Sequence, residues 1–257
     1  MRHHAGPYRI WILAFLATII LLEMLWSWKT DKKAYEVKET FANLAVFAGF
    51  QFSKVLFAGY QLAVLGIFSK MALFVLPHNG WVFLLTFIMA DFIYYWFHRA
   101  SHFFGPLWAF HQVHHSATHM NLTAAYRLNW LGAVISPLFF IPLAILGMPP
   151  EFIVVSYALN LMYQFFLHTE AVSNLGMMEK IIDTPSAHRV HHGSNSIYID
   201  KNFGGVLIIW DRIFNTYQTE TEKVVYGLTT GTSGYNPFVL VFKGFEELFT
   251  GKLRLKR

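Results

Sequence analysis

Residues 91–127, DFIYYWFHRASHFFGPLWAFHQVHHSATHMNLTAAYR, place imidazoles at His98 and His102 (HRASH), at His111, His114 and His115 (HQVHH), and at His119. Further along, His188, His191 and His192 repeat the second spacing as HRVHH. Residues three and four apart share a helix face, so HxxxH presents two imidazoles together and HxxHH presents three. Neutral imidazole is the commonest side-chain metal ligand and suits iron, zinc and copper. One such histidine alone is ordinarily a core or surface residue. Three boxes with ligand spacing, two of them alike, point to a metal site. Their eight imidazoles exceed the four ligands of a typical zinc site, so two metals are expected.

The boxes lie in a chain of 257 residues that is 55% hydrophobic and only 14% charged. Soluble domains carry about 25% charged residues, so the balance points to a membrane protein, and the length suits one domain. Aromatic residues make up 18%, with 26 Phe, as lipid-facing helices with Trp and Tyr near the interfaces require. The chain has no Cys, which excludes disulfides, thiolate metal sites and cysteine nucleophiles. The net charge of +5 fits cytoplasmic-side positive charge beside anionic lipid. No Lys/Arg run is interleaved with aromatics, so nucleic acid is not an expected partner.

Residues 10–28 form an apolar run of spanning length that ends in Trp26, Trp28 and Lys29. It reads as a first transmembrane helix; a cleavable signal peptide would have a shorter apolar core. His3 and His4 read as part of a polar terminus. Residues 30–40 are a charged connector. Residues 41–76 are apolar for longer than one span needs. An interfacial segment followed by one helix is expected there, with one kinked helix or a tight hairpin as the alternatives. A turn at 77–80 leads into a span over 81–97 that runs into HRASH. Two further apolar runs, 129–148 and 151–167, form a helical hairpin about Gly147-Met148-Pro149-Pro150.

The expected fold is therefore all-α. It is an integral membrane bundle of four to five spanning helices with a histidine-rich cytosolic cap. Residues 1–40 are its first helix and connector, 41–237 the membrane and histidine-box domain, and 238–257 an amphipathic, basic tail. A joint metal site puts the boxes, the connector and the tail on one side, and the positive-inside rule makes that side cytoplasmic.

Asp91, Tyr95, His98 and His102 fall on one helical stripe. An intramembrane carboxylate is a functional candidate, and metal-bound imidazoles commonly give their other N–H to one. Asp91 is thus expected to orient a ligand; the plainer alternative is a helix–helix hydrogen bond. Asn160, Gln164 and His168 recur every four residues on an otherwise apolar helix, which makes His168 a ninth candidate ligand or else a polar residue lining the site. His78 and His119 stand alone, and read as a loop residue and an interfacial residue.

A metalloprotease would need HExxH, which neither box type contains. A transporter would place ligands near the bilayer midplane, whereas these sit at helix ends. An enzyme oxidising a lipid chain at the interface would place metal there, because breaking an unactivated C–H bond needs a metal or cofactor with O2. Charge and spacing do not choose iron over zinc.

The stretches DFIYYWFHRASH, LWAFHQVHHS, NLTAAYR, FLHTE and TPSAHRVHHGSNSIYIDKNFGGVLIIWDRIFNTY resemble the fatty acid hydroxylase/sterol desaturase superfamily of integral membrane di-iron oxygenases. The likeness covers roughly residues 80–230. It implies two Fe ions held by His98, His102, His111, His114, His115, His188, His191 and His192, with His168 matching a further histidine. It also implies O2 as co-substrate and a lipid as substrate, with electrons from outside. With no fused cytochrome domain, a separate reductase is expected. Asp91, Asn121, Arg127 and Glu170 are then expected to orient ligands or shape the site.

The flanks are most similar to the alkylglycerol monooxygenase-like and bacterial sterol-desaturase-like branch. Phe103 and Thr118 depart from it, standing where the alkylglycerol enzymes usually carry Glu. Hydroxylation is the expected outcome. Desaturation on the same site is the alternative, and a non-catalytic metal-binding or transport protein a distant one. A bacterial plasma membrane is the expected location, or the endoplasmic reticulum if the source is eukaryotic.

Overall fold

The computed structural model describes residues 6–57 and 59–253; His3, His4 and the basic residues beyond 253 lie outside it. The described residues form ten α-helices and two 3-10 turns, with no strand and only two isolated bridges, Ile182 to Leu207 and Gly193 to Tyr226. The long helices are α1 (Gly6–Lys29), α2 (Val37–Leu56), α3 (Tyr60–Ser69) and α4 (Gly80–Phe103). After them come α5 (Gly105–His115), α6 (Gly132–Ile145), α7 (Pro150–Phe165), α8 (Pro185–His192), α9 (Ile209–Ile213) and α10 (Pro237–Phe249).

The caps follow local chemistry. Asn79 accepts from the Val82 amide to start α4, and Thr184 does the same for Ala187 at α8. Pro185 follows Thr184 at the first helical position, where its fixed φ and missing N–H cost nothing.

Among the described residues, α1 and α4 are long and apolar enough to cross a membrane, and α2 with α3 would make a third span. Four to five spans is not confirmed by these helices. Helices α6 and α7 have 14 and 16 residues, about 21 and 24 Å at 1.5 Å per residue, short of a hydrocarbon core of about 30 Å. The apolar runs that suggested two full spans include the residues that turn at each end. Over residues 41–76, α2 and α3 are two helices bent by 47°, the geometry of the kinked-helix alternative.

The apolar core pairs α3 with α6 and α4 with α7. Leu65, Ala90, Phe140, Leu143, Ala144 and Ile153 are its buried contacts. Between helices in lipid the driving force is close packing rather than water exclusion, and the alanines at 90 and 144 allow it. Gly147 sits at φ +95 in the α6–α7 turn, and a Cβ there would run into the Phe74 carbonyl.

The amphipathic α10 lies against α5 and α2. Leu240, Val241 and Gly244 face inward, and Gly244 lets the helix approach the Ala109 backbone.

Candidate metal centre

The histidine boxes sit where three helix ends meet. Helix α4 brings His98 and His102, α5 brings His111, His114 and His115, and α8 brings His188, His191 and His192. His168 follows α7. The nine imidazoles sort into two groups. His98, His102, His111, His115 and His191 form one; His114, His168, His188 and His192 form the other. Within each group one nitrogen per ring lies within 4.8 Å of all the others.

The spacing of the nitrogens tests whether a metal fits. Nε2 of His111 lies 3.0 Å from Nε2 of both His98 and His115, and His115 lies 3.0 Å from His191. In the other group His168 Nε2 lies 3.3 Å from His114 and 3.2 Å from His188. Two imidazoles bound at about 2.1 Å and at right angles about one ion stand about 3 Å apart. The separations match.

Tautomers strengthen the case. The Nδ1 of His98 faces the Phe203 carbonyl at 2.9 Å, His191 the Lys201 carbonyl at 3.0 Å, and His168 the Gln164 carbonyl at 2.8 Å. A carbonyl only accepts, so each Nδ1 carries the proton and each Nε2 turns a lone pair inward. Lone pairs converging at this density repel one another unless a cation lies between them. His192 Nε2 is likewise buried and has no hydrogen-bond partner among the described residues. Burial holds His168, His188 and His192 well below the ordinary histidine pKa, so they are neutral and able to ligate.

Much of the outer contact comes from residues 200–207. Lys201 and Phe203 supply the two carbonyls, and Asp200 stands 3.6 Å from His102 Nδ1. Asp200 and Asn202 both have positive φ, 57 and 56, a conformation that Asp and Asn tolerate better than most residues. The segment is pinned from several sides. Asp211 accepts from the Phe203 and Gly204 amides, both at 2.7 Å, and burial pushes its carboxyl up to about 6. Asn202 bonds the Ala187 and Gln218 backbones. At Gly205 a Cβ would collide with the Asn160 amide and the Tyr94 ring, so only glycine lets the segment lie on α4 and α7.

Asp91 completes this clamp. Its four hydrogen bonds come from the Val206 and Leu207 amides, Trp210 Nε1 and Asn160 Nδ2. It thus acts on the segment whose carbonyls orient histidines, and it also makes the helix–helix bond of the plainer alternative. The polar stripe on α7 joins in: Gln164 donates to Asn160 and accepts from Tyr94. Asp91→Asn puts an NH2 group among four donors. A loss of about 2–4 kcal/mol is expected, measured as a lower melting temperature and lower metal content; an unchanged melt would remove Asp91 from this role.

Asn121, Arg127 and Glu170 lie further out. Asn121 caps the turn Leu122–Tyr126, accepting from Thr123 and donating to the Ala34 carbonyl. Arg127 is buried, and donates to Ser116, Asn43 and Glu39. Through Ser116 it fixes the residue after His115. Glu170 is half-buried and interacts with Tyr226. Asp183 lies 3.3 Å from His188 Nδ1.

Asp211 was missed, and so were two carboxylates on the first two helices. Glu39, at the start of α2, accepts from the Thr118 amide and hydroxyl and pairs with His119 and Arg127. It brings a carboxylate to Thr118, where the resembling branch carries its own Glu. The same hydrogen bond raises His119 above its ordinary pKa, so His119 is a partner of Glu39 rather than a lone interfacial residue. Glu23 in α1 is buried and accepts from Tyr35, the Leu122 amide and Thr169. A single carboxylate inside the apolar run 10–28 was the available signal.

A cavity of about 470 Å³ opens on His98, His111, His114 and His168, so it touches both groups. It follows α7 along Val154, Tyr157, Ala158, Leu161, Met162 and Phe165, one face of the helix. From Val154 to Phe165 the helix rises about 16 Å. An apolar slot of this size and length suits a single hydrocarbon chain.

The pattern of the family described as fatty acid hydroxylase matches residues 83–216. The alkylglycerol monooxygenase of Xenopus tropicalis is 41% identical over 222 residues, 86% of this chain and 50% of its own length. That of Homo sapiens is 40% identical over 239 residues, 92% and 54%. The ornithine lipid hydroxylase OlsE of Rhizobium tropici is 30% identical over 135 residues, 52% and 40%. The chain spans about half the length of the alkylglycerol monooxygenases it matches. No solved structure matches.

Proposed function

This chain belongs to the fatty acid hydroxylase family, and from that premise we propose that it is a membrane-bound oxygenase that uses O2 to hydroxylate a lipid chain at a C–H bond. The supporting observation is the convergence of nine imidazoles in groups of five and four, of which His98, His111, His114 and His168 line an apolar cavity. Two iron ions would be held there, one by His98, His102, His111, His115 and His191, the other by His114, His168, His188 and His192. They would supply the redox chemistry with O2 that side chains lack. Five imidazoles in one group exceed a tetrahedral zinc site, which favours iron.

The chain's own part is to hold and to exclude. The carbonyls of Phe203, Lys201 and Gln164 keep one proton on each outer nitrogen, so the inner ones stay free to ligate. The apolar face of α7 lays a hydrocarbon against both groups and keeps water away. Asp91, Arg127 and Asn121 act by positioning segments next to the ligands, and Glu170 shapes the cap beside Tyr226. Electrons come from a separate reductase on the cap side; the lysines at 29, 32 and 33 favour that side as the cytoplasmic one. A multi-pass protein of a bacterial inner membrane fits this arrangement. The names of the Rhizobium and vertebrate relatives favour hydroxylation over desaturation.

Metal analysis of the purified protein is expected to give two Fe per chain. Stripping the iron with a chelator should abolish O2-dependent lipid oxidation and lower the unfolding free energy by at least about 4 kcal/mol, the linkage for metal at a thousand times its Kd. Fe²⁺ should restore both and Zn²⁺ only stability. Transferable zinc with no O2 consumption would sink the oxygenase and favour a metal carrier.

A further inference from the structure

The cavity wall changes character away from the histidines. On α2, Phe47, Phe50, Gln51 and Lys54 line it at i, i+3, i+4 and i+7, and Gln61 of α3 joins them across the bend. Glu39, on the same helix, is tied to Thr118, three residues past His115. Lys54 is 15 residues beyond Glu39, about 22 Å along the axis. One end of the slot therefore carries the imidazoles of His98, His111, His114 and His168, and the other an ammonium with two amides.

A lysine near a helix end commonly snorkels to the interface, and that explains a solitary cation. It does not explain two glutamines with it on the wall of a cavity that ends on the metal site. Apart from histidines, Lys54 is the one cationic side chain among the described residues lining the cavity, and no carboxylate lines it. Lys54 has no ion-pair partner among the described residues. Its nitrogen lies 5.8 Å from the Phe50 ring centroid, over the wall itself. The site is positive, donor-rich and uncompensated.

We propose that Gln51, Lys54 and Gln61 form a headgroup subsite, and that the substrate is a single-chain lipid with an anionic head, carboxylate or phosphate, whose chain reaches the histidines. This rests on the oxygenase reading of the cavity and narrows its substrate. The ammonium neutralises the head, and the glutamine amides donate to its remaining oxygens. Anchoring the head fixes how far down the chain the metal-facing carbon falls.

The test is equilibrium binding of three labelled 16-carbon probes to the full chain in nanodiscs of neutral lipid. The probes are palmitate, 1-palmitoyl lysophosphatidate and the uncharged 1-O-hexadecylglycerol. The wild-type protein is expected to bind at least one anionic probe about tenfold or more tightly than the glycerol ether. Which anionic probe it retains identifies the head. Lys54→Gln should bring the probes within about twofold of one another, and Lys54→Glu should reverse the order. Both variants change an exposed side chain and leave the core intact. Equal affinities in the wild type, or a preference that survives Lys54→Gln, overturn the headgroup subsite. Ala158→Phe, in the middle of the slot, should weaken all three probes alike. If it weakens none, the chain does not lie in this cavity and the oxygenase reading falls with the subsite; loss of the head preference alone leaves that reading standing.

Discussion

Alanine at His188 is expected to lower the metal content from two ions per chain to one and to cut lipid hydroxylation by more than about a hundredfold. Disturbing only the outer partner of a ligating histidine typically costs 10–100-fold in affinity or activity, so removing a ligand should exceed that. His188 belongs to the group of four, and its loss leaves three imidazoles. His102 belongs to the group of five, and its loss still leaves a full set of four. His102→Ala should therefore keep most of its metal while losing turnover. Metal analysis beside lipid mass spectrometry separates the two variants. Equal metal loss in both would mean that the five-and-four division does not describe the site.

Phenylalanine at Ala158 should do the reverse: metal content unchanged, hydroxylation reduced by about a hundredfold or more. Ala158 faces the cavity and is exposed to it, so the larger side chain enters open space without overpacking the core. A substrate displaced by about 1 Å from the reacting geometry already loses on the order of a hundredfold in rate, and a ring across the slot displaces it further. A lighter product, with two hydrogens lost and no oxygen gained, would show up in the same mass spectra and turn the wild-type reading to desaturation. Full turnover in Ala158→Phe would place the lipid elsewhere.

The nine histidines were readable because helix periodicity maps spacing onto geometry. HRASH and the two HxxHH boxes fold as helix ends, and His168 follows the polar face of α7. What surrounds them was not readable for two reasons. The groups that orient His98, His168 and His191 are backbone carbonyls, which every residue possesses and no motif advertises. Residues 200–205, DKNFGG, are irregular, and their function lies in where Asp211, Asn202 and Asp91 hold them. Glu39 is likewise separated by about 80 residues from Thr118 and His119 and reads locally as part of a charged connector. Hydropathy measures apolar length, whereas the helices themselves, α6 and α7, have 14 and 16 residues, so the apolar runs did not give the helix bounds.

Glu23 ties this architecture to the order in which it is made. Its partners Leu122 and Thr169 follow it by 99 and 146 residues, so α1 leaves the ribosome long before either exists. A carboxylate inside a nascent apolar segment costs about 2.5–3.5 kcal/mol for insertion at mid-bilayer, less nearer the interface, and Tyr35 is the one early partner that can offset it. The first helix is thus poorly settled until the loop after the second box and the residue after His168 have been synthesised. A chain cut before Leu122 is therefore expected to carry in its first helix a carboxylate with Tyr35 as the one remaining partner of the three.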